Sequence, residues 1–107
     1  MTEIRRLIKG EQKILKFTLT DKTTKLPVVL TDCELEFKAI IQKGTKTITK
    51  TDTDFDKTQE SLGIVKITLL STDLDIVGKY DCQLKITFTN DEIDKSEQFN
   101  IYVDESL

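Results

Sequence analysis

Residues 78–90 read GKYDCQLKITFTN, with Tyr80, Cys82, Leu84, Ile86 and Phe88 on every second position and Asp81, Gln83, Lys85, Thr87 and Thr89 between them. A period of two belongs to a strand with one buried face; a helix would place its apolar residues three and four apart. The polar alternates turn the other face to water, which antiparallel sheets permit and parallel sheets, covered on both sides, rarely do. The same alternation recurs at residues 12–20 (Leu15, Phe17, Leu19), 33–42 (Cys33, Leu35, Phe37, Ala39, Ile41), 63–70 (Val65, Ile67, Leu69) and 97–103 (Phe99, Ile101, Val103). At 107 residues the chain has room for one core between two sheets, so residues 1–107 read as a single domain.

The segments between these strands punctuate them. Ile4, Leu7 and Ile8 share a helix face, but residues 4–8 read equally as an edge strand, and residues 1–10 as an N-terminal arm; all stay open. DKTTK at 21–25 is a polar turn, followed by Pro27 where a missing N–H does little harm, and residues 28–30 are a short extended piece. Lys43-Gly44 breaks the third strand into a hairpin whose second arm, TKTITKT at 45–51, is β-branched with little apolar weight. Such an arm is an edge strand whose lysines discourage pairing with other chains. Residues 52–62 read as a polar loop and 90–95 as a turn. Residues 71–77 predict a single helical turn with Ser71 or Thr72 as N-cap, Asp73 and Asp75 in its first turn, and Gly78 closing it. No segment is long enough for a crossover helix. Tyr80, two residues after Gly78 and two before Cys82, has the spacing of a tyrosine corner, although Ile76 stands where aspartate is usual and the chain has no tryptophan. The expected architecture is all-β: an antiparallel immunoglobulin-like β-sandwich of roughly six to seven strands.

Composition excludes more than it assigns. Without histidine the chain lacks the commonest general base and transition-metal ligand, so catalysis is not expected. Cys33 and Cys82 lie in apolar alternations that predict burial, a poor setting for a nucleophile. With no export signal they read as small buried hydrophobes; a bridge between opposed sheets is the alternative. Lysines and acids are interspersed around a net charge of −3, with no basic block for nucleic acid and no apolar run of the roughly 20 residues that spans a bilayer. The chain is expected to be cytosolic when made. Asp52, Asp54 and Asp56 begin like a calcium loop, but Lys57 stands where glycine is needed and Gly63 where a bidentate glutamate is needed. The run therefore reads as a solvated acidic loop, with a looser calcium site including Glu60 left open. Arg5 and Arg6, beside Ile4 and Leu7, suit either an arm docking on a neighbouring subunit or an edge strand of the same domain. No catalytic, cofactor-binding or metal-ligating residue is assigned.

Four landmarks then combine in order: Ile8-Lys9-Gly10-Glu11 leading into KFTLTD, Pro27-Val28-Val29-Leu30-Thr31, Gly63 through Leu69 (GIVKITL), and Leu74 through Gly78-Lys79-Tyr80. Together they resemble the N-terminal domain of phage baseplate upper proteins. In that family a "kGd" turn precedes the first strand, a "v-LTG" turn the second, a "G-x-V-x-x-x-L" strand follows a hairpin, and "G-x-Y" opens the next. The likeness runs from about Ile4 to Val103, with Asp32-Cys33 where Gly-Ala is typical. It implies a non-enzymatic virion structural protein, a baseplate, neck or decoration component, assembled in the host cytoplasm. The implied partners are other phage virion proteins and further copies of the chain, without nucleic acid, membrane or cofactor. Family members usually continue beyond such a domain, so the chain is expected to be either an excised domain or a small stand-alone virion protein. The rival from another class is a carbohydrate-binding or adhesin module. Of seven aromatics, Phe17, Phe37, Tyr80, Phe88 and Phe99 fall on inward faces, leaving Phe55 and Tyr102 for sugar stacking. A cell-surface immunoglobulin-like domain, the third reading, requires the Cys33 to Cys82 bridge.

Overall fold

The computed structural model describes residues 4–21, 23–95 and 98–105, with Ile4 and Arg5 described through backbone pairing alone. The strands are β1 (Ile4–Ile8), β2 (Lys13–Thr18), β3 (Glu34–Ile41), β4 (Thr47–Lys50), β5 (Phe55–Asp56), β6 (Ile64–Leu69), β7 (Gly78–Thr87), β8 (Ile93–Lys95) and β9 (Phe99–Asp104). They form two sheets: a larger one in the order β1-β9-β7-β3-β4, with β8 also on β7, and a smaller one in the order β2-β6-β5. The split of strands and the pairing of the first strand with the last are those of an immunoglobulin-like sandwich, as the alternation and Tyr80 led us to expect. The short strands β5 and β8 add to the long ones because neither carries an apolar repeat. β1 runs parallel to β9 while the remaining ladders are antiparallel.

Packing follows the sequence period. In β3 the burial alternates through Leu35, Phe37, Ala39 and Ile41, and in β7 through Tyr80, Cys82, Leu84 and Ile86. The two strands pair over eight positions from Glu34↔Thr87 to Ile41↔Tyr80. Leu15, Val65, Ile67 and Leu69 meet them from the smaller sheet. Phe17, Phe37 and Phe99 form an aromatic triangle between the sheets, with ring centroids 5.9 to 6.2 Å apart. At Gly63, φ is +74°, and a Cβ there would lie 2.5 Å from the Leu19 carbonyl oxygen. Only glycine suits both the left-handed backbone and that close approach between the 19–28 segment and the start of β6.

Three local expectations are corrected. Residues 52–62 are more than a polar loop: β5 pairs with β6, and Phe55, only 7% exposed, enters the core. Residues 70–74 make the single turn expected within 71–77, but its cap and its end differ from expectation. The Leu70 carbonyl accepts from the Asp73 and Leu74 amides, Asp73 Oδ2 accepts from the Leu70 amide, and Gly78 opens β7. The cap thus comes from Asp73, whose carboxylate reaches back to the strand end, not from Ser71 or Thr72. Residues 93–95 form β8 where a turn was expected, and the tight turn is confined to 88–92, closed by Phe88 N–H to Glu92 C=O at 2.8 Å. The cysteines behave as the small buried hydrophobes expected, and the alternative of a bridge between them fails: Cys33 immediately precedes β3, and Cys82 lies within the neighbouring β7. Cys82 pairs with Ala39, six residues beyond Cys33 in the chain; at the strand rise that is about 20 Å, against the roughly 4.4–6.8 Å a disulfide allows. Both are free and buried. Glu97, the expected start of the last strand, and the Arg5 side chain lie outside the described residues.

Candidate docking surfaces

The residues that suggested chemistry do not converge. Asp52 Oδ1 accepts from the Leu35 amide at 3.0 Å and from Lys57 Nζ at 2.9 Å, fastening the 51–57 segment to β3. Asp54 accepts from the Thr51 amide, and Asp56 from the amide and hydroxyl of Thr58, whose amide bond in first place holds the Asp56 carboxyl below its ordinary value. Three alternate aspartates therefore serve three separate backbone tasks, and no group of His, Cys, Asp or Glu among the described residues is arranged to hold a metal. Burial pushes the Cys82 thiol up to about 12 and also raises Cys33, where Glu60 and Asp32 add to the effect. Neither thiol is a ready nucleophile.

Tyr80 makes the corner its spacing announces. Its ring is fully buried, and Oη donates to the Ile76 carbonyl at 2.8 Å, tying β7 to the loop before it. The bond needs only a backbone carbonyl, so Ile76 serves where aspartate is usual. Ion pairs bind the same loop to the β3–β4 hairpin: Lys46 Nζ to Asp75 at 2.9 Å and Lys50 Nζ to Asp73 at 2.7 Å. The Gly10 amide donates to the Leu74 carbonyl and brings the β1–β2 turn alongside. These segments make one end of the sandwich, the corner end. The turns around 21–33, 57–63 and 88–92 make the other, joined by Leu30 N–H to Glu60 C=O at 3.0 Å.

Surfaces open to a partner fall into two kinds. The first is backbone edge: β1 and β4 flank the larger sheet, β2 and β5 the smaller. β1 is an edge strand of this domain, held by Arg6 Nη1 to Asp104 at 3.1 Å and by the Arg6 guanidinium 4.6 Å above the Tyr102 ring, with Leu7 buried beneath. The second is apolar side chain: Ile14 and Ile40 are exposed on the outer faces of β2 and β3, and others lie at the ends. Ile8, Leu70, Ile76 and Val77 are exposed around the corner end, and Leu26, Val29, Leu62 and Ile93 around the opposite one.

Two grooves accompany them. One, of about 390 Å³ at the corner end, is lined by Ile41, Gln42, Lys43, Val77, Gly78 and Lys79. The other, of about 410 Å³, lies where β4 stops short of the start of β3 and carries Glu34, Glu36, Asp52 and Lys85. The sequence reading passed over Ile93, Val77, Lys43 and Lys79. A lone isoleucine between two acids in a polar stretch, Glu92-Ile93-Asp94, was the one signal available for them.

These features define an immunoglobulin-like sandwich whose Asp52, Asp54, Asp56, Asp73 and Asp75 carboxylates fasten loops and whose open features include edges and ends. Comparison with known families places it: the sequence pattern of the BppU N-terminal domain matches residues 3–107, and the chain belongs to that family. The family is that of the baseplate upper protein N-terminal domain, a structural domain of phage baseplates, as the four landmarks implied. Membership implies a place in the virion and association with other virion proteins. No curated protein matches the chain.

Proposed function

We propose that the domain is a non-enzymatic building block of the phage baseplate that docks onto other virion proteins through its open edges and apolar ends, in several copies per particle. The match of the family over residues 3–107 carries this reading. The distribution of polar groups supports it: the carboxylates singled out in the sequence cap amides or pair with lysines, and the buried thiols stay protonated. The sugar-binding reading loses support, because Phe55 packs in the core and Tyr102 lies beneath the Arg6 and Lys79 cations, at 4.6 and 5.6 Å from the ring centroid. A buried ring and a ring already engaged by two cations are poor platforms for a sugar. Mass spectrometry of density-purified particles tests the proposal. The protein should be found in particles in constant ratio to other baseplate components; finding it only in infected-cell cytosol defeats the reading.

A further inference from the structure

Resting on the docking role proposed above, we infer that the free edge of β2 receives an extended segment of another virion protein, one that carries an acidic side chain opposite Lys16. β2 is the longest open edge of the domain. The Leu19 amide donates to the Gly63 carbonyl at 2.8 Å, and the β2–β6 ladder runs in step from Thr18↔Ile64 to Lys13↔Leu69. In an antiparallel ladder every second residue exchanges both bonds with its partner, so Phe17, Leu15 and Lys13 face β6. The amides and carbonyls of Ile14, Lys16 and Thr18 then point away from it, and none of them makes a backbone bond among the described residues. The other edges are shorter or partly closed. β4 bonds to β3 through alternate residues and leaves Thr47 and Thr49 open, while the Thr51 amide is taken by Asp54. In β1 the Ile8 amide and carbonyl are both taken by Glu11, and β5 has two residues.

Side chains on the outer face of this edge select what can lie beside it. Ile14, 64% exposed, stands opposite Thr68, Lys16 opposite Lys66, and Thr18 opposite Ile64. Lys16 and Lys66 form a pair of the closer, non-hydrogen-bonded kind, with Cα atoms about 4.5 Å apart, and like charges so placed repel. Lys66 has Asp56 on its other side, although that carboxylate accepts from the amide and hydroxyl of Thr58. Lys16 forms no ion pair among the described residues. An unmet cation and an exposed isoleucine thus border unmet backbone groups. A strand with an acid opposite Lys16 and an aliphatic residue opposite Ile14 relieves the repulsion, covers the isoleucine and extends the ladder.

A second copy does not supply that strand. On their outer faces its open edges show Arg6 in β1, Thr47 and Thr49 in β4, and Ile93 and Lys95 in β8. β5 shows Asp56, already held by Thr58, in an edge of two residues against the six of β2. β2 against β2 in register sets Lys16 on Lys16. The lysine therefore turns away edges of its own chain and admits an acidic one, so a single side chain both guards the edge and selects its occupant. Main-chain bonds hold the added segment, and the acid fixes which segment it is.

Amide-resolved NMR of the full chain, titrated with a capped peptide carrying glutamates on one strand face and valines on the other, tests the edge in solution. The Ile14, Lys16 and Thr18 amides should shift and become protected from solvent exchange. Lys16→Glu should weaken binding at least on the order of tenfold, and the lysine counterpart of the peptide should prefer that variant to the wild type. Because Lys16→Glu replaces a like-charged pair by an opposite one, it should unfold at no lower urea concentration than the wild type, which separates lost binding from lost folding. Thr18→Pro removes an outward amide and no ladder bond, so it should block the edge; Thr49→Pro, the same change on β4, should leave binding unchanged. A glutamate peptide that leaves β2 unperturbed, that acts at Thr47 and Thr49 instead, or that binds Lys16→Glu as well as the wild type overturns the inference. In purified particles Lys16→Glu and Thr18→Pro should be depleted at least on the order of tenfold relative to the wild type. Their incorporation at the wild-type level also overturns the edge and leaves the baseplate role standing; absence of the wild type from particles defeats that role separately.

Discussion

The centre of the larger sheet and its margins are built on opposite terms. Along β3 and β7 every second side chain is 5% exposed or less, from Leu35 to Ile41 and from Tyr80 to Ile86. At the margins β4 buries Ile48 alone, β8 buries nothing, and β1 is fastened on its outer face by an ion pair whose partners are 63% and 43% exposed. Apolar burial at the centre is worth about 25 cal/mol per Å², whereas an exposed ion pair contributes about 0–1 kcal/mol. Stability therefore resides where no partner can reach, and the margins remain free to meet one at little cost to the fold. A docking domain needs that separation, since a contact residue that also carried the core could not vary with its partner.

The comparison breaks most directly at Phe37, fully buried and central to the aromatic triangle. Phe37→Ala should cost about 3–5 kcal/mol in urea denaturation, by lost transfer energy and an unfilled cavity. A cost near that of a margin substitution would mean that the centre does not carry the fold.

Cys82 sharpens the same point through pH. Burial lifts its thiol from 9.0 in the free state to about 12. The unfolded chain then releases its proton first as pH rises, so this contribution to stability is complete below about pH 9 and is lost between there and about pH 12, at roughly 1.4 kcal/mol per pH unit. Comparing denaturation of the wild type and Cys82→Ala at pH 8 and at about pH 10.5 isolates the effect from Tyr80, which burial also raises. The wild type should lose more stability than the variant over that interval; equal losses would place the Cys82 thiol in water.

Tyr80→Phe removes one hydroxyl from the boundary between centre and corner, leaving the Ile76 carbonyl without its 2.8 Å donor. The loss should be about 1–2 kcal/mol, read by the same denaturation. Arg6→Ala, at the margin, should cost only about 0.2–1 kcal/mol and less in high salt. An Arg6 effect larger than the Tyr80 effect would make β1 part of the stable centre.

How much of this was legible follows from what a period of two encodes. It tells which face of a strand is buried, and β2, β3, β6, β7 and β9 declared themselves because each repeats an apolar residue at least three times. It does not tell which sheet a strand joins, so a bridge from Cys33 to Cys82 across the sandwich could be imagined when β3, which Cys33 precedes, and β7, which holds Cys82, are neighbours in one sheet. It does not give strand direction, and the parallel pairing of β1 with β9 depends on contacts about a hundred residues apart in sequence. Phe55 and Ile93 each stand alone in polar stretches, where a single apolar residue carries no period, although one fills the core and the other projects from it. Tyr80 was readable because its role depends on local spacing. The corner-end groove was not, since it joins residues 41–43 to 77–79 through the β3–β7 register.

Comparable in size to the Arg6 effect, and opposite in sign, is the change expected at the departure from the family pattern, Asp32. The Cys33 amide donates to the Leu30 carbonyl at 3.1 Å, closing a turn over Thr31 and Asp32, and Asp32 takes φ of +62°. A turn with positive φ at its third residue favours glycine, the residue typical of the family there. An aspartate in that conformation carries a steric cost of roughly 1–2 kcal/mol, while glycine loses about 0.4–1 kcal/mol through the greater freedom of its unfolded chain. The two terms oppose each other, and the steric one is larger. Asp32→Gly should therefore raise stability by a few tenths of a kcal/mol to about 1. The same change removes one of the acids that raise the Cys33 thiol, so that thiol should also titrate lower. Denaturation midpoints together with thiol-labelling rates across alkaline pH measure both. A destabilised variant would show that the Asp32 side chain holds the turn through more than its backbone conformation, and the margins would then be less free of the fold than the contrast with β3 and β7 implies.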